Sequence, residues 1–398
     1  MKKFSFLLAL SLLASAIAFT PAKAQTQEEK QAEAERIWYD TCFTKKDEDK
    51  CYQLSKELLA NFPKSTYAPN AEKKVKNRDA QDQFKVANER FQAALKAYYA
   101  APDANKLDQL FAAGEEFLKV VPGNQFVIGQ MALAGAHGSI GQIYKNYDKV
   151  KGYGEQALKL FESTTPPEGW EKANWDNLRD IVQAQINQFL GFRLIETKGD
   201  KAQAIDYLTK ATMVKNKDGA GWKDPNNYWL RAGVYQEEYQ ALRAEYDKLT
   251  DELKNGDPGK ELLKKVNDVM DGKLIPEYAR VMAAAVKPET KPLADAAKGY
   301  FDAYWNYRTK APEKSAEYVK AFSADPTVAS PAIPVKVEEA NSAPLQAPTT
   351  PTAGSVKLTS SGGAAATGHN SGSSTGAKAA PAATKGKTTK AAPKKRKR

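Results

Sequence analysis

The chain of 398 residues is poor in the residues that most often hold metals or do covalent chemistry. It has two His and two Cys. With neither His near a Cys, a zinc site of the usual nitrogen and sulfur donors is not expected, which leaves only carboxylate-only metal sites open. A glycine-rich phosphate loop, a His-Glu-x-x-His string and a Gly-x-Ser-x-Gly elbow are all absent. Each absence removes a class of enzyme. The expectation is a non-enzymatic chain with no catalytic residue, metal ligand or cofactor. The pair Glu115 and Glu116 is the nearest thing to catalytic carboxylates, and a solvated helical face accounts for it. Acidic residues are missing altogether from residues 1–24 and 340–398. The chain carries +11 overall, with +3 in the first 24 residues and +10 in the last 59, which leaves −2 for residues 25–339. The ends are basic and the body is nearly neutral.

The N-terminus opens with Lys2 and Lys3 and continues as an apolar run from Phe4 to Phe19. Ala22 and Ala24 then stand at the −3 and −1 positions of a cleavage after Ala24. This three-part pattern is that of a secretory signal peptide. As an uncleaved anchor the run is at the short limit for crossing about 30 Å of hydrocarbon. No Cys follows at a lipidation position, and no other stretch reaches spanning length. The expectation is a periplasmic or secreted protein with no membrane span after cleavage.

Export makes the cysteines a candidate pair. Cys42 and Cys51 flank a charged turn, Lys45-Lys46-Asp47-Glu48-Asp49, between two helical stretches. That places Cys42 near the end of one helix and Cys51 near the start of the next, within disulfide reach. A structural staple is the leading reading; two free thiols or a redox switch are the others.

From Gln25 to Ala324 apolar residues recur at helical spacing. Tyr228, Ala232, Tyr235, Tyr239, Leu242, Tyr246, Leu249 and Leu253 keep one stripe on one face for about seven turns. Pro225 precedes it, Asn226 and Asn227 are candidate caps, and Asn255-Gly256 with Pro258 end it. Phe84, Ala87, Phe91, Ala94 and Tyr98 repeat the pattern, as do Leu293, Ala297, Tyr300, Tyr304 and Tyr307. Helices closing at Pro63 and Pro122 suggest hairpins.

The sharpest unit is GDKAQAIDYLTKA, Gly199 to Ala211, with Ala204, Leu208 and Ala211 on one face. It resembles the second helix of a tetratricopeptide repeat, and Leu190-Gly191 upstream matches the Leu-Gly pair of that family's first helix. Trp229, Ala232 and Gly233 fit another first helix; Gly138, Val150, Gly154 and Ala157 form a weaker copy. Gly169-Trp170 and Gly221-Trp222 open comparable segments 52 residues apart, longer than the family period of about 34. The resemblance implies an all-α, tetratricopeptide-repeat-like solenoid of helical hairpins over residues 25–257, followed by a helical cap at 258–324. It also implies a groove for a protein or peptide partner, lined from the starts of first helices. Asn174, Trp175, Asn226 and Trp229 lie there. The competing reading has the tryptophans wedged between hairpins.

After Asp325 the composition shifts. Ala, Ser, Thr, Gly and Pro fill 42 of the 59 positions from 340 to 398, with no aromatic residue. Such a stretch buries too little apolar surface to offset its ordering entropy, so residues 325–398 are expected to be a disordered tail. It ends in Lys394, Lys395, Arg396, Lys397 and Arg398, a polycation suited to an anionic envelope polymer or membrane surface. Three alternatives stand beside that reading: contact with nucleic acid, a nuclear-import run, or a solvated tail with no partner. The function expected is an exported interaction scaffold. The alternative is a binding protein for an anionic polymer or nucleic acid, working through the tail.

Overall fold

In the computed structural model the described residues are 25–217, 219–334 and 344–345. The expected signal peptide and the terminal cations Lys394 to Arg398 lie outside them. The fold is all-α, and among the described residues the β-pairing is confined to one bridge, Lys215 with Gly221, inside a turn. The helices are α1 (Gln27–Tyr39), α2 (Glu48–Asn61), α3 (Ala68–Ala100), α4 (Ala104–Val120) and α5 (Gln125–Ile140). There follow α6 (Tyr147–Leu160), α7 (Lys172–Glu196), α8 (Lys201–Met213), α9 (Pro225–Asp247) and α10 (Asp251–Asn255). The last four are α11 (Asp257–Val269), α12 (Ile275–Ala284), α13 (Lys291–Thr309) and α14 (Ser315–Lys320). Two compact units result. Among the described residues, one holds 25–94 with 111–124 and the other holds 95–110 with those after 124, so α3 and α4 contribute to both.

In the first unit, α1 starts at a reciprocal cap. Thr26 Oγ1 accepts from the Glu29 amide at 3.2 Å, and the Glu29 carboxylate accepts from the Thr26 amide at 2.8 Å, which satisfies two donors a helix start would orphan. The end of α1 widens into a π-helical turn, Asp40–Lys45, which Lys46 closes in a left-handed conformation (φ 54°). Asp47 then caps α2 by accepting from the Lys50 amide at 3.0 Å. The charged turn thus reverses the chain, and Cys42 and Cys51 meet in a disulfide with 4.9 Å between their Cα atoms. Beside it lies Trp38, fully buried, whose indole N–H donates to Ser55 Oγ at 2.7 Å. Leu58 and Ala71 complete this core, with Leu54, Phe62 and Tyr67 at its margin.

In the second unit α5 pairs with α6 and α7 with α8; α7 also packs on α5, and α8 on α9. Asp200 starts α8 by accepting from the Gln203 amide at 3.0 Å. The α7–α8 crossing is close because Gly191 has no side chain. A Cβ there would stand 2.7 Å from Leu208 Cγ and 3.1 Å from the Ala204 carbonyl oxygen. Gly221, at φ +86°, turns the chain toward α9, and a Cβ on it would come within 2.4 Å of the Ala211 carbonyl oxygen.

Two local expectations need correction. Asn226 and Asn227 do not cap α9. They lie inside its first turn, and the cap is Asp224, whose Oδ1 accepts from the Asn226 amide at 2.9 Å. The proline at the first helical position makes Asp224 the last residue outside the helix. The long stripe is also not one helix: α9 stops at Asp247, and Thr250 caps a new short helix by accepting from the Leu253 amide at 3.4 Å. A Thr followed by two acids is a restart signal, strong enough here to break the stripe between Tyr246 and Leu253. What remains of it is core. Tyr239 and Tyr304 are fully buried and meet edge to face at 5.4 Å.

The close crossing and the staple each give a prediction. Gly191→Val is expected to lower unfolding free energy by about 1 to 3 kcal/mol through overpacking. Gly233→Ala, where nothing lies within 4 Å of the new Cβ, is expected to raise it by up to about 1 kcal/mol; urea titrations of both variants decide. Replacing both cysteines by Ser should remove roughly 2.7 kcal/mol, the unfolded-state entropy of a ten-residue loop. Thermal unfolding should shift down while far-UV helicity is retained.

Candidate functional site

The second unit carries a polar cleft of about 360 Å³, walled by the end of α8, the start of α9 and the middle of α12. Thr209, Thr212 and Met213 come from α8, Tyr228 and Arg231 from α9, and Glu277 and Arg280 from α12; Lys215 and Thr327 come from coil. Its volume falls within the usual range for small-ligand clefts.

The floor is one carboxylate shared by two guanidiniums. Arg231 Nε donates to Glu277 Oε2 at 3.1 Å and its Nη2 to Oε1 and Oε2 at 3.0 and 2.9 Å. Arg280 Nη1 donates to Glu277 Oε1 at 2.8 Å. All three side chains are largely buried, at 10%, 6% and 13% exposed for Arg231, Glu277 and Arg280. Arg231 also reaches Thr209 Oγ1 at 3.2 Å. Burial makes such a pair costly to break, because the partner left behind is an uncompensated charge.

The rim is a second ion pair. Lys215 Nζ donates to Asp325 Oδ2 at 2.6 Å, and Asp325 Oδ1 accepts from the hydroxyl and amide of Thr327. Partial burial alone would raise the Asp325 pKa, but Lys215 and Thr327 outweigh it and hold the carboxyl at about 2. Arg280 extends the rim by donating to the Pro326 and Val328 carbonyls at 2.9 and 3.1 Å and to Ser330 Oγ at 3.1 Å. Residues 326, 328 and 330, just past the start of the composition shift, are therefore tied to α12. Three cations face two carboxylates, which leaves the cleft one positive charge in excess. Thr209, Thr212, Thr327 and the exposed Met213 complete the lining. An anionic group with some apolar surface suits that lining.

The four groove candidates do not line this cleft. Asn174 is exposed and donates to Glu171 at 3.2 Å. Trp175 is fully buried, stacked on Phe161 at 4.7 Å, with its indole N–H on the Ser163 carbonyl at 3.2 Å. Asn226 is buried and donates to Asp224 Oδ1 at 2.8 Å. Trp229 is buried edge-on against Tyr278 and Tyr300. The cleft residues carried a signal of their own. Arg231 interrupts the apolar stripe between Tyr228 and Tyr235, and Glu277 and Arg280 stand three apart inside the apolar run Leu274–Val286. Charges at core positions predict a buried pair.

Compared with known proteins, the chain matches no family model, no curated protein and no solved structure. Among the described residues no helix is long and apolar enough to cross a membrane. The disulfide fits a secreted or periplasmic protein.

Removing the central carboxylate tests the cleft floor. Glu277→Gln is expected to destabilise the chain by about 3 to 5 kcal/mol, since two buried guanidiniums lose their counter-charge. A double variant, Arg231→Met with Glu277→Leu, should recover part of that loss in the same urea titration.

Proposed function

We propose that the chain is an exported, non-enzymatic interaction scaffold: a tetratricopeptide-repeat-like helical body takes a protein or peptide partner, and the polycationic tail holds an anionic envelope surface. The observation that carries the reading is the α7–α8 crossing at Gly191, Ala204 and Leu208. Small residues at these places bring paired helices into close contact in the family resembled, and the same pairing recurs for α5 and α6. Stacked hairpins present surfaces along their length to partners. The cleft at Arg231, Glu277 and Arg280 supports a partner group with an anion, such as a carboxylate side chain or chain terminus.

Two further observations support the address and the tail. The sequence from Lys2 to Ala24 has the form of a signal peptide, and the disulfide fits an oxidising compartment. The charge is concentrated at the end of the chain, where each cation is worth about 1 kcal/mol at an anionic membrane.

The full chain and a variant with Ser at 394–398 separate the roles. The native chain should bind anionic vesicles at about 10 mM salt and release them near 150 mM, where the Debye length has fallen from about 30 to 8 Å. The variant should bind neither vesicles nor DNA, yet keep its helicity and any cross-linked protein partner. Equal vesicle or DNA binding by the two would move the contact to the body and favour the anionic-polymer reading.

A further inference from the structure

The second unit holds a piece of the compositional tail. Pro344 is buried, and Leu345 lies half-buried with its carbonyl accepting a hydrogen bond from the Tyr239 hydroxyl at 2.6 Å. The two partners are 106 residues apart in sequence. Nothing in the composition of the surrounding stretch favours such a contact, since it is built from Ala, Ser, Thr, Gly and Pro and lacks aromatic residues and acids.

The receiving side is rigid. Tyr239 sits in the middle of α9, fully buried, with its ring edge-on to Tyr304. The Tyr304 hydroxyl donates to Gln236 Oε1 at 2.7 Å, and Tyr278 donates to the same oxygen at 3.4 Å while stacking near-parallel on Tyr300. These contacts brace the Tyr239 ring on the side of Tyr304. Burial pushes the Tyr239 pKa up, which keeps its hydroxyl protonated as a donor. A buried phenol needs an acceptor, and the acceptor it has is the main-chain carbonyl of Leu345.

The ligand side is equally suited. Proline has no N–H, so its burial orphans no donor, and its fixed φ lowers the entropy lost on docking. Leucine supplies the apolar contact and the carbonyl.

We propose that the face of α9 around Tyr239 is a binding site for an extended, uncharged peptide with a Pro-Leu step, and that the chain fills it in cis with Pro344 and Leu345. The basic terminus is then tethered at two points, by Arg280 on residues 326–330 and by Tyr239 on residue 345. This goes beyond the scaffold reading and stands whether or not the body has another partner.

A nitroxide placed on the full chain through Ser342→Cys tests it, with broadening of amide signals along α9 as the readout. The native docking residues should give strong broadening around Tyr239. Leu345→Asp should abolish it with helicity unchanged. Tyr239→Phe, which keeps the ring and loses the donor, should cut the docked population about fivefold, as expected for one hydrogen bond. A peptide spanning residues 341–348, added at millimolar concentration, should compete and relieve the broadening. Absence of broadening with Pro344 and Leu345 intact, or broadening that persists in Leu345→Asp, overturns the proposal.

Discussion

Glu277 is the point on which the second unit turns. Its carboxylate is shared between Arg231 from α9 and Arg280 from its own helix, and all three lie largely out of water. A lone carboxylate at that depth would be expelled or protonated. Flanked by two guanidiniums it fixes the spacing of α9 and α12, and α9 in turn bears on α8, α11 and α12. Arg280 uses its remaining donors on main-chain carbonyls of residues 326 and 328. One buried anion thereby sets the position of two helices and of the coil that crosses the cleft.

Much of this was legible in the sequence, and the reasons differ by element. Helical class followed from spacing, because apolar residues three and four apart admit one periodic structure. The cysteine pair followed from a turn of five charged residues that must be at the surface. Gly191 was legible through Leu190 and the Ala204–Leu208 face, since close helix crossings need small residues. The end of α9 was not, because the apolar stripe continues past Asp247 while Thr250, Asp251 and Glu252 start a new helix. Local capping overrode periodicity there. The cleft was missed for a related reason. Arg231 stands within the Tyr228–Tyr235 stripe, and Glu277 and Arg280 stand within an apolar run, but the sequence does not say which of these charges meet, because tertiary packing sets that.

The boundary drawn by composition at residue 325 also differs from the boundary drawn by contacts. Asp325, Pro326, Val328 and Ser330 all have partners in the second unit. Low-complexity sequence predicts weak self-association of a segment, not an inability to bind a ready-made surface. Main-chain carbonyls are available in any sequence, and arginine and tyrosine are the side chains that seek them out. Recognition of backbone rather than side chains is how a featureless segment comes to be held in place.

The nine-residue separation of Cys42 and Cys51 has a consequence for when the first unit acquires its bond. The two sulfurs are brought together by a single chain reversal, with no need for α3 or anything after it. Closure of a loop this short takes about 10 to 100 ns, far faster than thiol oxidation. Bond formation is therefore limited by the oxidant and not by folding. The pairing is also unambiguous, as two cysteines admit only one connectivity and no isomerase is required to correct it.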